Sequence, residues 1–112
     1  MKRAFLGEFE EIVLLVLAAC SDDAYGVTIW EQLQKQTGRS ITISAVHATL
    51  YRLEEKGYLT SLMGGATAER GGRRKRFFKL TTAGSKALVE IQAMRQQLWQ
   101  AIPQDKLQLT QS

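Results

Sequence analysis

Apolar residues recur at three- and four-residue steps through Phe5, Leu6, Phe9, Ile12, Val13, Val16, Leu17 and Cys20, the spacing that gathers side chains on one face of a helix. Glu8, Glu10 and Glu11 stand near its start, where the helix dipole favours acids. The stretch predicts a first, deeply buried helix. Ser21-Asp22-Asp23 breaks the pattern and offers a cap for the next helix. That second helix is predicted from about Tyr25 to Thr37, burying Ile29, Trp30 and Leu33, with Gly38 placed as a left-handed cap. Ser40 to Ile43 alternates polar and apolar positions and reads as a short extended piece.

Ser44 is placed to cap a third helix and Gly57 to stop it. Along it Val46, Leu50 and Leu53 share one face, because steps of four and three residues return to the same side. At about 100° per residue, Ser44, Ala48, Tyr51, Arg52 and Glu55 fall on the opposite side, with Ala45 and His47 flanking. The first two turns of that outer face are small or polar, so they can enter a DNA major groove closely. Two strand-like runs come next. In the second, Phe78 and Leu80 point to one face and can close over the helices, while Phe77 and Lys79 point to the other. Gly64-Gly65 and Gly71-Gly72 bracket a connection with little to pack, which reads as a mobile wing tip.

From Thr82 to Ile102 the stripe Ala87, Ile91, Met94, Leu98 and Ile102 predicts a fourth helix, ended by Pro103 and succeeded by a polar, frayed tail. Its apolar surface exceeds what a core of this size absorbs, so the expected partner is a second copy of the same helix. Three short-linked helices, a two-stranded ribbon and a terminal rod define a mainly α (α+β) winged helix-turn-helix. The expected organisation is a DNA-binding domain over residues 1–81, a dimerisation helix over 82–102 and a flexible tail over 103–112. A two-fold dimer would set two recognition helices about one DNA turn, roughly 34 Å, apart.

Charge sharpens this picture. The chain carries a net +4, yet the ten residues from Arg70 to Lys79 hold six cations and no acid, so the remainder is slightly acidic. Such local density exceeds what protecting a strand edge needs and suits Arg70, Arg73, Arg74, Lys75 and Arg76 to phosphates of double-stranded DNA. On the third helix Ser44, Ala45, His47 and Ala48 would approach base edges, and Tyr51 and Arg52 the backbone. The single Cys20 has no intramolecular partner, which fits a reducing cytoplasm. The apolar run from Ile12 to Cys20 is far short of a membrane span. One histidine and one cysteine on separate helices make no metal site, and nothing resembles a nucleophile elbow, a phosphate loop or a buried carboxylate pair. No cofactor and no enzymatic activity are expected.

Tyr25-Gly26 opening the second helix, Leu50-Tyr51-Arg52-Leu53-Glu54-Glu55-Lys56-Gly57 closing the third, and the run Arg73-Arg-Lys-Arg-Phe-Phe-Lys-Leu-Thr-Thr-Ala-Gly84 together resemble the PadR family of transcriptional regulators, in its short form with one terminal dimerisation helix. The resemblance covers about Phe5 to Ile102. It departs at the start of the third helix, where the family commonly has Gly and, three residues on, Tyr; Ser44 and His47 stand there. The resemblance implies a homodimeric repressor, autonomous or ligand-responsive, often of transporter or stress genes. Trp99, beside Leu98 at the rim of the expected seam, reads as an interface anchor. By likeness to some short relatives, it is alternatively the stacking partner of a small planar aromatic effector. A winged-helix module that binds protein or structured RNA is the other reading of the whole chain.

Overall fold

The first apolar stripe forms its helix over a shorter span than its spacing predicts. The computed structural model describes residues 5–20, 24–64 and 75–108, and helix α1 runs Glu8–Ala19. Its start is fixed by Gly7, whose N–H donates to Glu10 Oε1 at 2.9 Å. Leu6 still packs on the core from outside the helix, whereas Phe5 is 82% exposed. The apolar rhythm therefore runs past the helix end because chain entering the domain can share its core without being helical.

Helix α2 spans Gly26–Thr37. Thr28 Oγ1 accepts from the Tyr25 N–H at 3.1 Å, one of the donors that the first turn leaves open, and donates to the Tyr25 carbonyl at 2.8 Å. The expected Ser21-Asp22-Asp23 cap lies outside the described residues. Gly38 ends the helix at φ 70°, with its N–H on the Gln34 carbonyl at 3.0 Å.

No strand forms at residues 40–43. The Trp30 indole N–H donates to the Ile41 carbonyl at 2.7 Å and the Ile41 N–H to Gln34 Oε1 at 3.3 Å, so α2 itself takes up the backbone that a strand would have paired. Helix α3, Ile43–Glu55, starts two residues earlier than a Ser44 cap requires. Thr42 is the cap, its Oγ1 accepting from the Ala45 N–H at 3.1 Å. At the far end Gly57 (φ 84°) closes the helix: its N–H reaches the Glu54 carbonyl and that of Tyr58 the Leu53 carbonyl, a Schellman motif.

Strands β1, Leu59–Gly64, and β2, Lys75–Leu80, pair antiparallel from Leu59↔Leu80 to Gly64↔Lys75. The alternation holds: Phe78 is buried and Lys79 exposed. The Phe78 N–H bonds the Ala24 carbonyl and Tyr25 bridges Phe77, so the start of α2 is laid along β2. The core joins Val13, Leu14 and Leu17 of α1, Ile29 and Leu33 of α2, Val46, Leu50 and Leu53 of α3, and Leu59 and Phe78 of the ribbon. Burial of this kind contributes about 1.5–3 kcal/mol per large side chain.

Helix α4 spans Thr82–Gln100. Thr81 caps it, its Oγ1 accepting from the Gly84 N–H at 3.0 Å while donating to the Gly57 carbonyl at 2.7 Å. One hydroxyl thus ties the start of α4 to the end of α3. Ala87 and Ile91 are buried within the chain, and Arg95 grips Glu11 of α1 through Nη2 at 2.6 Å and Nε at 3.2 Å. Past Arg95 every described side chain of the helix is exposed. After Pro103 a 3-10 turn spans Gln104–Leu107, where composition alone suggested a frayed tail. No helix among the described residues is long and apolar enough to cross a membrane.

Candidate nucleic-acid interface

The face of α3 opposite its buried Val46, Leu50 and Leu53 carries Ser44, Ala48, Tyr51, Arg52 and Glu55, all exposed. Ala45 and His47 flank it and are half-buried. His47 does not project freely. Its imidazole lies on Gly26 of α2, so closely that a Cβ at position 26 would overlap the ring. It also meets the Tyr51 ring at 6.2 Å with the planes 33° apart. His47 therefore wedges the elbow between α2 and α3. A lone histidine among small residues gives no hint of this.

Arg76 joins the ribbon to this face. Alternation gives it the same side of β2 as Phe78, and its guanidinium lies over the Tyr51 ring at 5.8 Å, within range of a cation–π contact. Tyr51 itself is 45% exposed and leans on Phe78 at 6.3 Å. Arg76 Nη1 donates to Ser61 Oγ at 2.9 Å, and Ser61 Oγ donates to Glu54 Oε2 at 2.8 Å. Lys75 takes the other side of the strand. Its Nζ sits 4.3 Å from the Tyr25 ring centroid and 3.3 Å from Tyr25 Oη, and Phe77 meets the same ring edge-on at 5.7 Å. Arg70, Arg73, Arg74 and the expected mobile tip lie outside the described residues.

Arg52 is anchored from behind. Its Nη1 is 4.0 Å from Glu10 Oε2, and Lys56 Nζ binds the same carboxylate at 2.8 and 3.1 Å. Glu10 is a buried acid within the Val13, Leu14 and Leu17 stripe, and an acid at that spacing is the sequence signal for such a cluster. Burial pushes the Glu10 carboxyl up, but the Lys56 ammonium, the Gly7 N–H and Arg52 together outweigh it and hold its pKa below the ordinary 4.5. A depressed folded-state value stabilises the fold above the unfolded pKa, and the benefit is lost as pH falls through the folded one. The denaturation midpoint is thus expected to drop from about pH 6 to about pH 3 more steeply in the native chain than in Glu10→Gln. At neutral pH that variant should cost about 1–2 kcal/mol.

Of the expected dimerisation residues, Ala87 and Ile91 are buried against the chain's own body, while Met94, Leu98 and Ile102 are exposed. Trp99 is 56% exposed on the same projecting arm. Among the described residues no group of three His, Cys, Asp or Glu is placed to hold a metal ion.

A helix shouldered forward by two others, with a cationic ribbon leaning over its exposed face, is a winged helix-turn-helix. The family profile of the PadR-like transcriptional regulators matches residues 13–90, and the chain belongs to that family, whose members regulate transcription and are not enzymes. Solved structures share the fold. A PadR-like transcription factor from Bacteroides fragilis is 23% identical over 82% of this chain and 84% of its own, with a TM-score of 0.70. A PadR-like regulator from Bacillus cereus is 14% identical over 92% and 93%, with a TM-score of 0.69. Bacillus subtilis PadR, solved with operator DNA, is 18% identical over 76% of this chain and 46% of its own, with a TM-score of 0.64. No curated protein matched the sequence.

Proposed function

We propose that this chain is a homodimeric, sequence-specific repressor that reads duplex DNA with α3 and grips flanking phosphates with its wing. The observation that carries this reading is the position of Arg76 over Tyr51, which puts the cationic ribbon and the exposed side of α3 on one surface. Ser44 and Ala48 approach base edges, with Ala45 and His47 at their flank. Tyr51 and Arg52 meet the backbone, and Lys75 and Arg76, with Arg70, Arg73 and Arg74, meet neighbouring phosphates. The structure of Bacillus subtilis PadR on operator DNA supports this use of the fold. Transporter or stress-response genes are the proposed targets.

The second copy is argued from the arm. Helix α4 is about 28 Å long, its distal half exposes Met94, Leu98 and Trp99 to solvent, and Ile102, just past its end, is exposed as well. Leu98→Asp is expected to yield folded monomers by sedimentation and to weaken duplex binding by at least about 100-fold, because one half-site then acts alone. Release by a flat aromatic effector stacking on Trp99 is part of the proposal. Titration of a Trp30→Phe variant with phenolic acids and planar hydrophobic cations should quench Trp99 at micromolar concentration, and no quenching by any of them would remove that part. A gel shift with duplex DNA against structured RNA separates the whole reading from that of an RNA-binding module, which preference for RNA would favour.

A further inference from the structure

We propose that Glu54 and Ser61 are positioning residues that aim Arg76 at DNA. The inference rests on the proposed DNA reading and adds to it two side chains that need not touch the ligand. An arginine on an exposed strand samples many rotamers and must surrender them on binding. Arg76 is held at two points. The Tyr51 ring supports the guanidinium at 5.8 Å, and Ser61 Oγ accepts from Nη1 at 2.9 Å.

What makes Ser61 a directed acceptor is the carboxylate behind it. A hydroxyl rotates to suit its surroundings and offers one donor and two lone pairs. Here its proton goes to Glu54 Oε2 at 2.8 Å, which leaves its lone pairs for the arginine. Glu54 is half-buried at the last turn of α3, and Ser61 is half-buried on β1. The relay therefore passes from recognition helix to first strand to the second strand's arginine, and it fixes the wing cation relative to α3. Only one of the guanidinium's five N–H donors is spent on Ser61, so the rest can meet a phosphate at the junction of helix and ribbon.

Ser61→Ala removes the relay and keeps every charge. It is expected to weaken duplex binding about fivefold to tenfold, with the slope of log affinity against log salt unchanged. In an Arg76→Ala background the same change should have no effect within about twofold, since the group it positions is gone. Ser61→Thr, which keeps the hydroxyl and suits a strand, should restore affinity. In the free protein, arginine side-chain NMR should show slowed Arg76 guanidinium rotation in the native chain and Ser61→Thr, and fast rotation in Ser61→Ala. Equal losses from Ser61→Ala with and without Arg76, or identical rotation rates in all variants, would overturn the relay while leaving DNA binding intact. A native chain that ignores duplex DNA would overturn both.

Discussion

Exchanging Lys75 and Arg76 together for alanine is expected to weaken duplex binding about a thousandfold near 0.1 M salt. Two cations leave each protomer, so a dimer forgoes four phosphate interactions at about 1 kcal/mol apiece. With about four phosphates neutralised per protomer, the proposed dimer should show a log–log salt slope near about −7, and the variant one near about −4. The loss should be similar for every sequence, because phosphates carry none. Changes at Ala48, by contrast, should alter which sequence is preferred. Folding should be little affected: Arg76 and Lys75 are exposed, and their aromatic contacts are of the kind worth about 0.5–1 kcal/mol at the surface. A native slope shallower than about −2 would mean the wing does not lie on DNA.

The second large effect is expected at Gly84, far from any charge. A Cβ there would overlap the backbone carbonyl of Tyr58 and press on Leu80. The Leu80 methyl can turn aside, but the Tyr58 carbonyl cannot do so cheaply, because it is backbone and also accepts the Thr81 N–H at 3.2 Å. Gly84→Ala is therefore expected to destabilise by about 1–3 kcal/mol, the usual cost of overpacking, although alanine is the better helix former. Thermal unfolding should show it as a loss of at least about 4 °C. The first turn of α4 is where the rod leaves the winged domain, so the variant should also loosen the docking of α4 on the ribbon. A melting temperature equal to the native one would show that α4 does not dock here as tightly as the geometry requires.

Periodicity carried most of the fold. The α3 faces were readable because Val46, Leu50 and Leu53 repeat at helical steps and nothing interrupts them, and Gly38 because glycine takes the left-handed cap conformation without a Cβ penalty. Thr42 was not. Ser40, Thr42 and Ser44 stand two apart, each able to cap, and the choice fell to Trp30, whose indole holds Ile41 and so sets where the turn stops. Phe5 misled for a related reason: a rhythm of apolar residues records what packs, and the helix boundary came instead from Gly7 and Glu10.

The site divides the same way. Strand parity that buries Phe78 also sends Arg76 toward Tyr51, so that contact lies within reach of sequence reasoning. The partners of Glu10 do not: Lys56 lies 46 residues away, and no local pattern says which cation a buried acid will find. Nor does sequence show that His47 is turned onto Gly26, since a glycine's missing side chain becomes informative only once its neighbour is known. On α4 a single stripe divides in two. Ala87 and Ile91 complete the chain's interior and the residues beyond are exposed, a division that depends on how far α1 extends beneath the helix.

The most direct test is selection of binding sites from a pool of random duplexes. A two-fold dimer with α3 in successive major grooves predicts enrichment of an inverted repeat, with half-site centres about 10 base pairs apart. Alanine replacement of Lys75 and Arg76 should abolish recovery of that repeat. Recovery of no sequence above background, or of a lone asymmetric half-site bound equally well by Leu98→Asp, would contradict it.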